Sequence, residues 1–235
     1  MTTYVLVHGA WHGGWCWRRV AKRLRAAGHE VFTPTLTGLG ERSHLLTASV
    51  NMATHVQDIA NVLRWEDLRD VVLVGHSYAG LVVTGAADAE ADRIATLAYL
   101  DAFVPGDGES NWSLVNDLFR NLFMDTSGET GYSVATIPSA LFGIKAAADQ
   151  AWVDGKCTPH PLAGFRQSLK LTGAGERIRD KVFILADGWD HNPFVPFHDT
   201  YKGKPGWTVH RTPHSHDAMV DGADAVADIL LKSAR

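Results

Sequence analysis

Cysteine is scarce in this 235-residue chain, with Cys16 and Cys157 the only two. Two thiols cannot staple a disulfide scaffold, and they lack zinc-site spacing, so both are expected to be reduced, small apolar side chains. Long apolar runs are also missing, which excludes a membrane-spanning helix. The opening Met-Thr-Thr-Tyr-Val-Leu-Val-His is too short and too quickly broken for a signal peptide, and the expectation is a cytoplasmic protein. Charge of one sign is never concentrated. With 22 basic against 26 acidic residues, nothing offers a surface for nucleic acid, and the Arg18, Arg19, Lys22, Arg23 and Arg25 group reads as the wet face of a helix. Twelve histidines are present, yet His214, His216 and the Asp190-His191 pair form no closed ligand set, so neither a metal nor another cofactor is expected. The glycine-containing loop Thr35–Arg42 lacks the spacing and the lysine of a phosphate cradle and reads as a pocket edge.

What the chain does have is hydrophobic mass, 46% of its residues, enough for one full core. Short continuous apolar runs predict six strands buried on both faces: Tyr4–Val7, Glu30–Thr33, Val71–Val74, Ile94–Leu100, Val182–Leu185 and Trp207–His210. Amphipathic stretches between them predict helices over Trp15–Ala27, Asn51–Trp65, Tyr78–Ala89 and Ala223–Leu231. Gly28 stops the first, whose apolar face is Trp17, Val20, Ala21 and Leu24. This alternation predicts an α/β fold with a doubly wound, mostly parallel sheet. Residues 103–175 break the rhythm, so the expected organisation is a single domain over 1–235, its core 1–102 and 176–235 and a mainly helical cap inserted at 103–175.

Val71-Val72-Leu73-Val74-Gly75-His76-Ser77-Tyr78-Ala79-Gly80 reads as a buried strand turning sharply into a helix, with Ser77 at the apex as candidate nucleophile. The pentapeptide is a near match to G-x-S-x-G, with Ala79 in the fifth place and Gly80 following. A serine hydroxyl needs a histidine base and an orienting acid. His216 is preferred over His214 because it stands directly before the helix-entering Asp-Ala-Met run, where a loop residue can project back over the strand ends. Three aspartates satisfy the order serine, acid, histidine: Asp101 after the fourth predicted strand is favoured, then Asp190, then Asp187 after the fifth.

The segments Leu6-Val7-His8-Gly9-Ala10-Trp11-His12-Gly13-Gly14-Trp15, Gly75–Gly80 and Ser215-His216-Asp217-Ala218-Met219 resemble the α/β-hydrolase superfamily. The likeness is to its small-esterase branch, which holds methyl-salicylate-type esterases, hydroxynitrile lyases and related bacterial esterases, and it spans nearly the whole chain. It implies an acyl-transfer site with Ser77 and His216 as nucleophile and base, and an oxyanion hole of the backbone N–H groups of Ala10 and Tyr78. Gly9, Trp11 and His12, with Trp112, Phe119 and Phe123 of the cap, are the candidate substrate-binding residues.

The expected function is hydrolysis of small, largely apolar carboxylic esters, aromatic ones included, with a small molecule as the partner and a homodimer suggested by analogy with small relatives. Thioesterase, lactonase or amidase activity would use the same site. Hydroxynitrile lyases have a threonine where Gly9 stands and a lysine where Asp217 stands, so that chemistry is disfavoured. A non-catalytic ligand-binding protein on the same fold is the reading from another class.

Overall fold

The computed structural model describes residues 1–127, 130–190 and 192–233. His191 of the Asp190-His191 pair therefore lies outside the described residues. Among the described residues eight strands form in chain order: β1 Thr3–Val7, β2 Glu30–Phe32, β3 Val71–His76, β4 Ile94–Leu100, β5 Ser133–Val134, β6 His160–Pro161, β7 Asp180–Ala186 and β8 Trp207–Thr212. Six of them make one parallel sheet in the order β2-β1-β3-β4-β7-β8. The six predicted strands are these six, with ends shifted by a few residues.

Alternation along the strands explains why the apolar runs are continuous. Val5, Val7, Leu73, Leu97, Tyr99, Phe183 and Leu185 point into one buried cluster, and Tyr4, Leu6, Val72, Val74, Ala98, Leu100 and Ile184 into another on the opposite face. Helices α1 (Arg18–Ala26) and α10 (Ala223–Ser233) pack together over the second cluster, through Val20, Leu24, Val226 and Leu230. Helices α2 (Met52–Trp65) and α3 (Ala79–Ala89) pack together over the first, through Ile59, Leu63, Leu81 and Val82. The first predicted helix opens as a 3₁₀ turn over Gly14–Trp17. Asn51 caps α2 with a reciprocal bond to Thr54. Both cysteines are free thiols, and no helix of the described residues is long and apolar enough to cross a membrane.

Between β4 and β7 the chain forms short helices: α4 Asn111–Leu114, α5 Asp117–Thr126, α6 Ala147–Asp154 and α7 Leu162–Arg166. One feature there has no counterpart in the predicted elements, the two-residue antiparallel pairing of β5 with β6. Its residues are too few to leave a periodic signal. The segment packs by aromatic contact, with the rings of Phe123 and Phe165 parallel at 4.3 Å. After β7 come α8 (Val195–Tyr201) and, beyond β8, α9 (Ala218–Asp221).

Candidate active site

Ser77 follows β3 directly and has φ of +55°, in the left-handed region that a serine seldom adopts. Neighbouring glycines make that turn possible. A Cβ on Gly75 would sit 2.6 Å from Val83 Cγ2 and 2.7 Å from the Ala79 carbonyl oxygen, and one on Gly80 would overlap the carbonyl oxygen of Phe103. The glycine requirement thus falls on positions 75 and 80, while the Ala79 methyl is accommodated in the core. Two further non-glycine residues of the site also have positive φ, Trp11 at +62° and Asp101 at +42°. Such strain persists only where surrounding packing over-determines the backbone.

His216 Nε2 lies 2.9 Å from Ser77 Oγ, and His216 Nδ1 lies 2.7 Å from Asp101 Oδ2. The His216 ring stacks parallel on Phe194, and its backbone N–H donates to Phe142 O. Asp101 is fully buried just past the end of β4. Besides His216 it accepts from the Ala186 N–H, Trp189 Nε1 and Asn192 Nδ2 at 3.0, 3.0 and 3.1 Å. The two rival aspartates stand elsewhere: Asp187 pairs with Arg211, and Asp190 is exposed. Trp189 and Asn192, flanking the rival Asp190, instead orient Asp101. Sequence reasoning missed both, because only folding brings that loop back to β4. His214 is engaged with Thr212 Oγ1.

Ser77, Tyr78, Ala10 and His216 line one cavity with Trp11, Phe119 and Phe123. Among the described residues, the N–H groups of Ala10 and Tyr78 donate to no protein acceptor, whereas that of Trp11 donates to His160 Nδ1. The other walls include Phe103, Phe142, Phe165, Trp189 and Phe194, and the cavity is narrow, about 40 Å³. Asn111, on α4, is the one amide in this wall.

Three expected pocket residues lie outside it. Gly9 is enclosed by His76 and Ser77, where a Cβ would come within 2.8 Å of His76 Nδ1. Trp112 sits under the Arg166 guanidinium at 5.5 Å, beside Phe123. His12 donates from Nδ1 to Ala10 O, stacks on Trp15, and turns Nε2 toward Asp217, 3.5 Å away. The Thr35–Arg42 loop does not edge the cavity either, since Leu36 and Leu39 are core residues and Arg42 binds back to Thr35 O and Thr37 Oγ1.

Beneath the site is a buried polar layer that the sequence did not announce. Asp217 is fully buried, with oxygens 3.5 Å from His12 Nε2 and 3.8 Å from His76 Nε2. The nearby histidines hold its carboxyl well below the ordinary carboxylate range, and the Asp217 charge holds His12 above the ordinary histidine value against burial, which by itself would lower it. His76 donates from Nε2 to the His216 carbonyl and stays neutral, burial pushing it well down. His8 bridges Gly9 O and the Leu36 N–H, and burial pushes it down to about 3. His55 joins the Tyr78 hydroxyl to Thr37 O and is pushed down to about 4, again mainly by burial.

Among proteins of known identity, the chain is 45% identical to a carbendazim hydrolyzing esterase of Nocardioides sp., over 98% of both chains. It is 32% identical to methylesterase 7 of Arabidopsis thaliana over 60% of this chain and 55% of that one. An extracellular alpha/beta-hydrolase from a Paenibacillus species superposes with a TM-score of 0.87 over the full length of both chains at 21% identity, a likeness of fold. The model of the Alpha/beta hydrolase family matches residues 4–229, and the chain belongs to that family.

Proposed function

We propose that Ser77, His216 and Asp101 are the nucleophile, general base and orienting acid of an esterase for small, largely apolar esters. The observation that carries this is the continuous relay from Ser77 Oγ through both nitrogens of His216 to Asp101. Esterase activity itself is supported by 45% identity over the whole chain to a named esterase.

In the first half-reaction His216 Nε2 takes the Ser77 proton as Oγ attacks the ester carbonyl carbon. Negative charge gathers on the carbonyl oxygen, where the N–H groups of Ala10 and Tyr78 are the donors available to hold it. Collapse breaks the bond to the leaving oxygen, which takes the proton from His216. Water, deprotonated by the same histidine, then cleaves the acyl-enzyme and restores Ser77. Asp101 keeps Nδ1 protonated and Nε2 facing the serine throughout.

Residues 103–175 act as the cap in this reading. The narrow cavity admits an ester when the cap parts from the core, and α5, whose one buried residue is Phe123, lends that cavity Phe119 and Phe123. Asp217 faces His12 and His76 rather than the cavity, which counts against cyanide chemistry. Carbendazim, the compound in the name of the Nocardioides relative, is the first named substrate to try.

The test is intact-mass analysis after a fluorophosphonate probe, with p-nitrophenyl acetate turnover alongside. One adduct lost in Ser77→Ala, and turnover lost in Ser77→Ala and His216→Ala, is the expected result. A folded parent that neither labels nor turns over overturns the reading.

A further inference from the structure

Asn111 is 2% exposed and lines the cavity, and its side-chain oxygen Oδ1 accepts a hydrogen bond from no described residue. An amide oxygen left so is costly, and native proteins rarely keep one without use. The cavity it lines is otherwise mostly apolar, with Val115, Phe119, Phe123 and Phe165 among its walls. A water there would find few of the two to four polar partners that hold one in place.

The cavity has two ends, and the chemistry tells them apart. Protonation of the leaving oxygen by His216 sets the leaving group beside Phe142, Trp189 and Phe194, whose rings lie 4.9–5.3 Å from the imidazole. The acyl group then runs the other way, past Trp11 and Tyr78, whose rings contact Phe165 at 5.7 and 5.5 Å. Helix α4 packs on α7, which carries Phe165, so Asn111 belongs to this acyl end. Flat aromatic walls suit a planar group.

We infer that Asn111 determines substrate choice: its Oδ1 accepts a hydrogen bond from an N–H group on the planar aromatic acyl part of the ester that Ser77 attacks. This rests on the assignment of Ser77 as nucleophile. A buried acceptor selects by penalty, because an analogue without the donor leaves the amide unpaired in an apolar wall.

The probes are methyl indole-2-carboxylate and methyl benzofuran-2-carboxylate, which match in size and differ by N–H against O. Their kcat/KM ratio, corrected for alkaline hydrolysis rates, is measured on single preparations so that changes in overall activity cancel. The wild type is expected to favour the indole ester by on the order of ten- to a hundredfold. Asn111→Leu collapses the ratio toward one, and Asn111→Asp, which keeps an acceptor there, retains a preference at pH 8. A ratio unchanged in Asn111→Leu overturns the inference, as does its loss in both variants, which marks a merely structural role. Wild type that turns over p-nitrophenyl acetate but neither methyl ester also overturns it while leaving the esterase reading intact. No turnover of any ester fails that reading first.

Discussion

Trp189 Nε1 donates to the same Asp101 oxygen, Oδ2, that faces His216 Nδ1, at 3.0 Å against 2.7 Å. The indole thereby fixes the carboxylate plane from the loop after β7, although the carboxylate itself stands just past the end of β4. Asp101→Asn keeps this shape but puts an amide opposite Nδ1, which favours the wrong histidine tautomer. The expected loss in kcat is on the order of 10³–10⁴-fold. Asp187→Asn and Asp190→Asn should stay within about twofold of the parent, and p-nitrophenyl acetate kinetics on all three decide between them.

Gly80→Ala tests the elbow. The added methyl would overlap the Phe103 carbonyl oxygen, which is backbone and has no rotamer by which to yield. Overpacking of this kind costs about 1–3 kcal/mol or more, so the midpoint of thermal unfolding should fall by roughly 5–10 °C, with activity falling as Ser77 is displaced. Ala79→Gly restores the common pentapeptide yet relieves no contact, and should give no gain in either measurement.

Acid should unfold this protein early. His8, His55, His76 and His160 are fully or almost fully buried and are pushed down chiefly by burial. Below their ordinary value of 6.5 the unfolded chain binds protons that the folded chain refuses, so stability falls with pH from there to about 4 for His55 and about 3 for His8. Each contributes a slope of about 1.4 kcal/mol per pH unit. Urea unfolding at pH 7.5 and pH 5 should therefore differ by several kcal/mol, and His55→Gln, which removes one of the four groups, should reduce the difference by roughly a quarter. Equal stability at the two pH values would refute the buried neutral state of these rings.

The sheet was legible because its inner strands are buried on both faces, which leaves an unbroken apolar run such as Val71–Val74, whereas the edge strands β2 and β8 are only partly buried. The proposed nucleophile Ser77 and base His216 could be picked out in the sequence because the first sits on a turn with strict steric demands and the second in a loop whose order is fixed by the fold. The candidate acid was only narrowed to three, since Asp101, Asp187 and Asp190 all follow strands, and the donors that favour Asp101 in the proposed role converge from the distant Trp189–Asn192 loop. Asn111 follows the helix cap Ser110 and looks in sequence like any turn residue. Asp217 looked like a residue entering a helix. Its burial against His12 is a contact across 205 positions, which no local pattern encodes.

That pairing of His12 with Asp217 makes a prediction of opposite sign to the acid one. A raised histidine contributes stability that is complete below 6.5 and fades as pH rises through its folded value, whereas a lowered aspartate contributes above 3.8 and is lost only in strong acid. The pair therefore stabilises most between those limits, partly offsetting there the four neutral histidines, and its contribution declines on the alkaline side. Asp217→Asn leaves His12 without its counter-charge in a buried layer, a change that costs about 3–5 kcal/mol. His12→Asn combined with Asp217→Asn should cost less than the two single changes together, because neither charge is then left alone. Urea unfolding of the four proteins at pH 6 measures the coupling. Additive losses would show that His12 and Asp217 stabilise the fold through separate contacts, and that the loop carrying His216 owes nothing to a charge pair beneath it.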